Sequence, residues 1–306
     1  KSKVSRGLRF KLAMLVRQSR WRKFMQRRRS ALYMPGANPR AMEKAKKLDC
    51  DVVIFDLEDA VAVDAKVTAR SSVAEQIGRG GYGGRELVVR VNGLDTPWGV
   101  DDVKTCAQLP VAALLFPKVA SLEYVEQING LLAQVNPQMR AWIMIETPAG
   151  ILDLETFASH PCVDVLVMGT SDLVRELRAD HIEDRSNLTY ALQRSVMVAR
   201  RLGKDILDGV HLDFRNPATL RRVCEQGKHM GFDGKTLIHP DQIATANEIF
   251  GYDEAAAAHA RAVLKVWQQA QAAGQGVAEL DGQLIESLHA AEAQRVLAYF
   301  EAQTGR

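Results

Sequence analysis

The sequence is poor in cysteine, in aromatic side chains and in long apolar runs. Its four cysteines, Cys50, Cys106, Cys162 and Cys224, are widely separated along 306 residues, and none forms a C-x-x-C pair. That spacing argues against structural zinc and dithiol redox motifs. It fits reduced thiols in a cytosol-like compartment better than a disulfide scaffold. Aromatic residues make up 6% of the chain. No apolar run approaches the roughly 20 residues that a membrane helix needs, so no transmembrane segment is expected. No G-x-G-x-x-G occurs, so the dinucleotide fingerprint is missing. The seven histidines show no H-x-x-x-H or H-E-x-x-H spacing, and His160, His181, His229, His259 and His289 read as surface or loop residues. Residues 1–29 contain no acid at all, only twelve Lys and Arg.

Hydrophobic residues are 47% and charged residues 25% of the chain, a globular composition with enough apolar mass for a large core. The basic stretch 1–29 is read as an arm of its own. It has the makings of an amphipathic basic helix, with Leu8, Leu12, Leu15 and Val16 among the charges. Such an arm suits a membrane surface, a nucleic acid or an organelle presequence, but charge runs are most often solvated. The remaining residues carry 28 basic against 37 acidic side chains, so general nucleic-acid binding is not expected. A cytoplasmic setting is the default, with a mitochondrial one as the alternative.

From Ser30 the chain alternates short apolar runs with helical spacing. The runs are Ser30–Gly36, Asp51–Asp59, Glu86–Gly93, Ala113–Val119, Ala141–Pro148, Val163–Thr170, Asp205–Val210 and Gly234–Pro240. Strands buried on both faces read this way. Eight strand–helix units predict a TIM (β/α)8 barrel over 30–250; an open doubly wound sheet is the runner-up. After Asp241 the strand pattern stops. Two helical stretches, Asp253–Ala273 and Leu284–Ala302, form a C-terminal extension or lid over 251–306.

Barrel chemistry sits at the C-terminal ends of the strands. Ionisable residues collect at those positions here: Asp56, Glu58 and Asp59, then Arg90, Lys118, Glu146, Asp172, Asp208 and His239. Lys118, after a proline, reads as structural. Glu146 and Asp172 lie on adjacent predicted strands with little nitrogen or sulfur nearby. Such a pair suits Mg²⁺, with Mn²⁺ as a substitute, or else a general acid–base couple. Arg90 favours the metal, as a fork for a substrate carboxylate.

The stretches RRSALYMPGANPRAMEKA, VIFDLEDAV, VVRVNGLDTPWG, FPKV, IETPAG, GTSDL, LDGVHLDF and GFDGKTLIHPDQI resemble the HpcH/HpaI aldolase and citrate lyase β-subunit superfamily. Within it they are most like free-standing malyl-CoA and citramalyl-CoA lyases, over about residues 27–300. The resemblance implies a TIM barrel with a C-terminal helical extension, assembled as a homotrimer or homohexamer. It implies Mg²⁺ on Glu146 and Asp172, Ser171 among the substrate-binding residues, and Arg90 on the carboxylate of a 2-oxo acid. Tyr33, Asn38 and Lys44 fall where relatives touch the CoA ester, and Ile238 and His239 where they line the same pocket. Asn38 stands where some relatives have Arg, and Arg40 lies two residues on. Asp56, Glu58 and Asp59 would orient metal waters and Arg90. Glu286 occupies the position of an Asp that acts as acid/base in malyl-type relatives, sometimes across a subunit boundary.

The expected reaction is reversible cleavage of a 3-hydroxyacyl-CoA to acetyl-CoA or propionyl-CoA and glyoxylate or pyruvate, with Arg90 and Glu286 as catalytic residues. The alternatives are a citrate lyase β subunit using a carrier-protein thioester, a CoA-independent aldolase and a non-catalytic binding protein on the same barrel. The long extension argues against the first. The opening Arg29–Gly36 segment argues against the second. Glu146, Asp172 and Arg90 together argue against the third.

Overall fold

Eight short strands, β1 (Ser30–Pro35), β2 (Val52–Asp56), β3 (Glu86–Arg90), β4 (Ala113–Phe116), β5 (Arg140–Ile145), β6 (Val163–Met168), β7 (Asp205–Asp208) and β8 (Gly234–Leu237), form one closed parallel barrel. The computed structural model describes residues 26–304. Each strand pairs with the next, and β8 closes on β1 with Ala31 opposite Thr236. The TIM barrel expected from the sequence is therefore the fold.

The helices are α1 (Pro39–Ala45), α2 (Lys66–Arg79), α3 (Gly99–Cys106), α4 (Leu122–Val135), α5 (Pro148–Leu152), α6 (Leu154–Ala158), α7 (Thr170–Glu176), α8 (Thr189–Leu202), α9 (Pro217–Met230) and α10 (Ile243–Phe250). Local chemistry sets their ends. Asn38, Ser121, Thr147 and Asn216 cap α1, α4, α5 and α9 through their side chains. Gly203 and Gly231 end α8 and α9 in the left-handed region.

Side chains alternate along each strand between the barrel's inside and the helix layer. Ala31, Val52, Ile54, Val88, Leu115, Trp142, Met144, Val165, Val167 and Leu207 fill the inside. Val53, Phe55, Val89, Leu114, Ile143 and Leu166 pack outward under the helices. The inward series 52–54 continues to Asp56, Val88 to Arg90, Ala31 to Tyr33, and Trp142–Met144 to Glu146. Alternation alone thus delivers these four side chains to one mouth of the barrel.

The chain divides into two compact units, and residues 28–250 form the barrel unit. Arg28 and Arg29, the last two positions of the stretch read as a basic arm, are buried barrel residues. Residues 1–25 of that arm lie outside the described residues.

Among the described residues, the second unit comprises Gln26, Arg27 and residues 251–304. It contains α11 (Glu254–Ala272), a hairpin of β9 (Ala278–Leu280) and β10 (Gln283–Ile285), and α12 (Ser287–Thr304). Ala260, Val263, Ile285 and Ala293 form its core, with Trp267 and Leu297 against them. The sequence reading placed no strand after Asp241 and began a helix at Leu284. The hairpin corrects both: Asp281 and Gly282 take φ of 51° and 78°, the two-residue turn that an Asp-Gly pair favours. No helix among the described residues is long and apolar enough to cross a membrane.

Candidate active site

Arg90 sits at the centre of the mouth and is 8% exposed. Its Nε donates to Asp56 Oδ1 at 2.7 Å and its Nη2 to Asp56 Oδ2 at 2.6 Å. Its Nη1 lies 3.0 Å from Glu58 Oε2 and 3.5 Å from Asp59 Oδ2. The guanidinium also covers the Tyr33 ring at 4.8 Å. Burial alone would lower the arginine's pKa; the Asp56 pair outweighs it and holds the cation charged. The bidentate edge of Arg90 is thus taken by Asp56, and its Nη1 is shared between Glu58 and Asp59.

Glu146 extends β5 by one inward position. Its Oε1 accepts the Lys118 backbone N–H at 2.6 Å. Its Oε2 is buried and has no hydrogen-bond partner among the described residues. Burial, with Asp172 and Glu58 adding negative charge, pushes the Glu146 carboxyl up to about 8. Burial and Asp59 likewise raise Glu58 against the pull of Arg90. Asp172, in the first turn of α7, pairs with Arg175 at 2.7 Å. Gly169 packs so tightly on Glu146 that a Cβ there would strike the carboxylate.

A buried carboxylate oxygen without a partner, crowded by a second carboxylate, is a donor set waiting for a hard cation. No group of three or more His, Cys, Asp or Glu is arranged to hold a metal among the described residues. Two carboxylates with waters and substrate oxygens are what Mg²⁺ accepts. The residues therefore fit Mg²⁺, which Glu146 and Asp172 would hold.

The other expected residues fall as follows. Ser171 and Asp172 are half-buried at the start of α7. Asn38 accepts the Ala41 N–H at 3.1 Å, so its side chain is occupied by capping. Lys44 and Arg40 are exposed on α1. The Ile238 N–H is held by Gln242 Oε1 at 2.9 Å. His239 stacks on Phe214 with centroids 4.7 Å apart, and its Nδ1 accepts the Asp241 N–H. Glu286 belongs to the second unit, between β10 and α12, and its N–H donates to His289 Nδ1 at 2.9 Å.

Two residues have site contacts that sequence reasoning missed. Lys118 adopts φ of 54°, and this turn is what aims its N–H at Glu146. Its Nζ lies 3.4 Å from Glu58. Nothing in FPKV announces a left-handed lysine. Lys66, buried, donates to the carbonyls of Leu57 and Glu58 at 2.9 and 2.7 Å and so fixes the loop that carries Glu58.

Carboxylates gathered around a buried arginine at the C-terminal mouth of a (β/α)8 barrel are placed where barrel enzymes carry their chemistry. The HpcH/HpaI aldolase/citrate lyase family description matches residues 29–240, and the chain belongs to that family. It is 43% identical over 274 residues to a (3S)-malyl-CoA thioesterase of Cereibacter sphaeroides, covering 90% of this chain and 95% of that protein. It is 30% identical to the citrate lyase β subunit of Escherichia coli, covering 90% and 93%. The crystal structure of CitE from Mycobacterium tuberculosis with magnesium, acetoacetate and coenzyme A is similar at a TM-score of 0.73 and 25% identity, covering 89% and 97%.

Proposed function

We propose that the protein is a divalent-metal-dependent enzyme of malyl-type CoA thioesters, and that its net reaction is thioester hydrolysis to the free hydroxy acid and CoA. The observation that carries the metal is Glu146, whose buried Oε2 has no hydrogen-bond partner among the described residues and whose carboxyl is pushed up by burial and by the charge of Asp172. The similarity to malyl-CoA thioesterases, along nine-tenths of the chain, supports the ester and its hydrolysis.

Mg²⁺, when bound, would supply a Lewis acid for the substrate's hydroxyl and carboxylate oxygens. The chain's own residues do the rest. The Arg90 guanidinium offsets substrate negative charge while Asp56 and Tyr33 hold it in place. Glu58 and Asp59 orient its Nη1. Tyr33, Asn38, Lys44, Ile238 and His239 form the ester-binding rim in this reading, and Ser171 is a further substrate contact. Glu286 is the acid/base, from its own or a neighbouring subunit of a homo-oligomer. Water adds to the thioester carbonyl, the C–S bond breaks, and the sulfur leaves with a proton as CoA thiol.

A second reading is carbon–carbon cleavage to acetyl-CoA or propionyl-CoA and a 2-oxo acid. Membership of a family that includes citrate lyase β subunits favours it. One assay separates the two. Malyl-CoA with Mg²⁺ is followed by thiol release, glyoxylate formation and mass spectrometry. Hydrolysis gives malate and thiol in equal amounts; cleavage gives glyoxylate and acetyl-CoA without thiol. Turnover that survives EDTA would sink the metal assignment, and no product at all would sink the substrate.

A further inference from the structure

The barrel unit contains a cavity of about 360 Å³ that the site described above does not use. Thr170, Ser171 and Val174 of α7 form one wall, and Val210, His211 and Leu212 beyond β7 form another. That volume is within the range of small-molecule sites. Its position is the informative feature. The turn Gly169–Asp172 presses Gly169 on Glu146 and carries Asp172, and it turns its next two residues, Thr170 and Ser171, to the cavity. The cavity therefore adjoins the half of the substrate that bears the hydroxyl and carboxylate, not the CoA half.

Its lining combines apolar side chains with two acids and one guanidinium. Arg185 lines it, but Nη1 donates to both Asp208 oxygens at 2.8 and 2.9 Å, and Nε donates to Gln226. The acids Glu183 and Asp213 also line it. A substituent carrying its own carboxylate would meet negative charge and a guanidinium already committed. His211 bonds Thr219 at 3.0 Å, and burial followed by Lys235 holds it below the usual imidazole range. It is neutral near pH 7. Val174, Val210 and Leu212 supply the apolar surface.

We infer that this cavity receives an unbranched alkyl substituent on the hydroxyl-bearing carbon, so that the enzyme accepts malyl-type esters with ethyl or propyl groups there and rejects the carboxymethyl group of a citryl ester. The inference rests on the functional reading above and names its substrate class more closely.

The test uses the full chain with Mg²⁺ and synthetic esters bearing hydrogen, methyl, ethyl, n-propyl or carboxymethyl at that carbon. Thiol release and 2-oxo acid release are summed, so the net reaction does not matter. Each methylene buried should raise kcat/KM by about fourfold. The carboxymethyl ester should fall at least about 100-fold below the ethyl ester. Val174→Phe fills the wall and should lower the ethyl-to-hydrogen preference at least tenfold. Val174 is buried, so Leu212→Trp, at an exposed position on the rim, is the second variant and should lower the same ratio. An ethyl ester tenfold worse than the hydrogen ester, or a ratio unchanged in both variants, overturns the inference and leaves the functional reading intact. No turnover of any ester overturns both.

Discussion

Glu146 carries more of the argument than any other side chain, and its titration makes the metal testable without turnover. Its carboxyl is raised from 4.5 to about 8 by burial and by Asp172 and Glu58. Between those values the folded, metal-free protein keeps a proton that the unfolded chain has released. Stability therefore falls as pH rises through that window, by at most about 1.4 kcal/mol per unit. Glu146→Gln removes the titrating group. Thermal unfolding with EDTA should show the variant more stable than the parent near pH 8 and little different near pH 5. Turnover should drop by roughly 10²–10³. An unchanged pH slope in the variant would refute the assignment. Much of this site was legible in the sequence, because period-two alternation carries Tyr33, Asp56, Arg90 and Glu146 inward from strands already recognisable as buried. Lys118 was not legible. Its role is carried by a backbone N–H in a left-handed conformation, and side-chain chemistry gives no hint of that.

The junction between β6 and α7 shows how one missing Cβ positions a neighbouring strand's carboxylate. Gly169 has φ of −100°, which alanine also adopts, so Gly169→Ala brings no backbone strain. The added methyl would instead collide with Glu146. That overpacking should cost about 1–3 kcal/mol of stability and leave the fold intact, while kcat/KM falls about 100-fold, the scale of loss that a displacement of about 1 Å brings. Parental turnover in Gly169→Ala would mean that Glu146 does not work from the position described. The sequence showed the barrel's strands plainly, since continuous Val, Ile and Leu runs ending in Gly, Pro or charge have few other solutions. It concealed the β9–β10 hairpin. Strands of three residues show no usable period, and Ala-rich surroundings read as helix. The Asp281-Gly282 pair was the available cue. It had been absorbed into a linker between helices.

Across the whole barrel, both ends place an arginine between carboxylates, and the N-terminal end explains how the barrel closes. Arg28, just before β1, donates through Nε and Nη2 to Glu86 of β3 at 2.7 Å each, and its Nη1 donates to Asp205 of β7. Its guanidinium covers Trp142 of β5 at 5.0 Å. Beside it the Lys235 N–H donates to the Arg29 carbonyl at 3.1 Å, and Gly234 lies so close under Arg28 that no side chain fits. One residue thus ties the first strand to three others at the seam where β8 meets β1. A run of twelve basic residues hid it, because composition cannot separate a solvated arginine from a buried one. Arg28→Ala would leave Glu86 and Asp205 buried without their cation, a loss of about 3–5 kcal/mol near neutral pH. The sign with pH follows from the acids. Burial and Asp233 already push the Asp205 carboxyl up to about 6 with Arg28 in place; losing the cation raises it further, so the deficit grows as pH rises above about 6. Urea unfolding should therefore show a larger difference from the parent near pH 8 than near pH 4.5. Equal losses at the two pH values would mean that Arg28 acts by packing on Trp142, not by neutralising the acids around it.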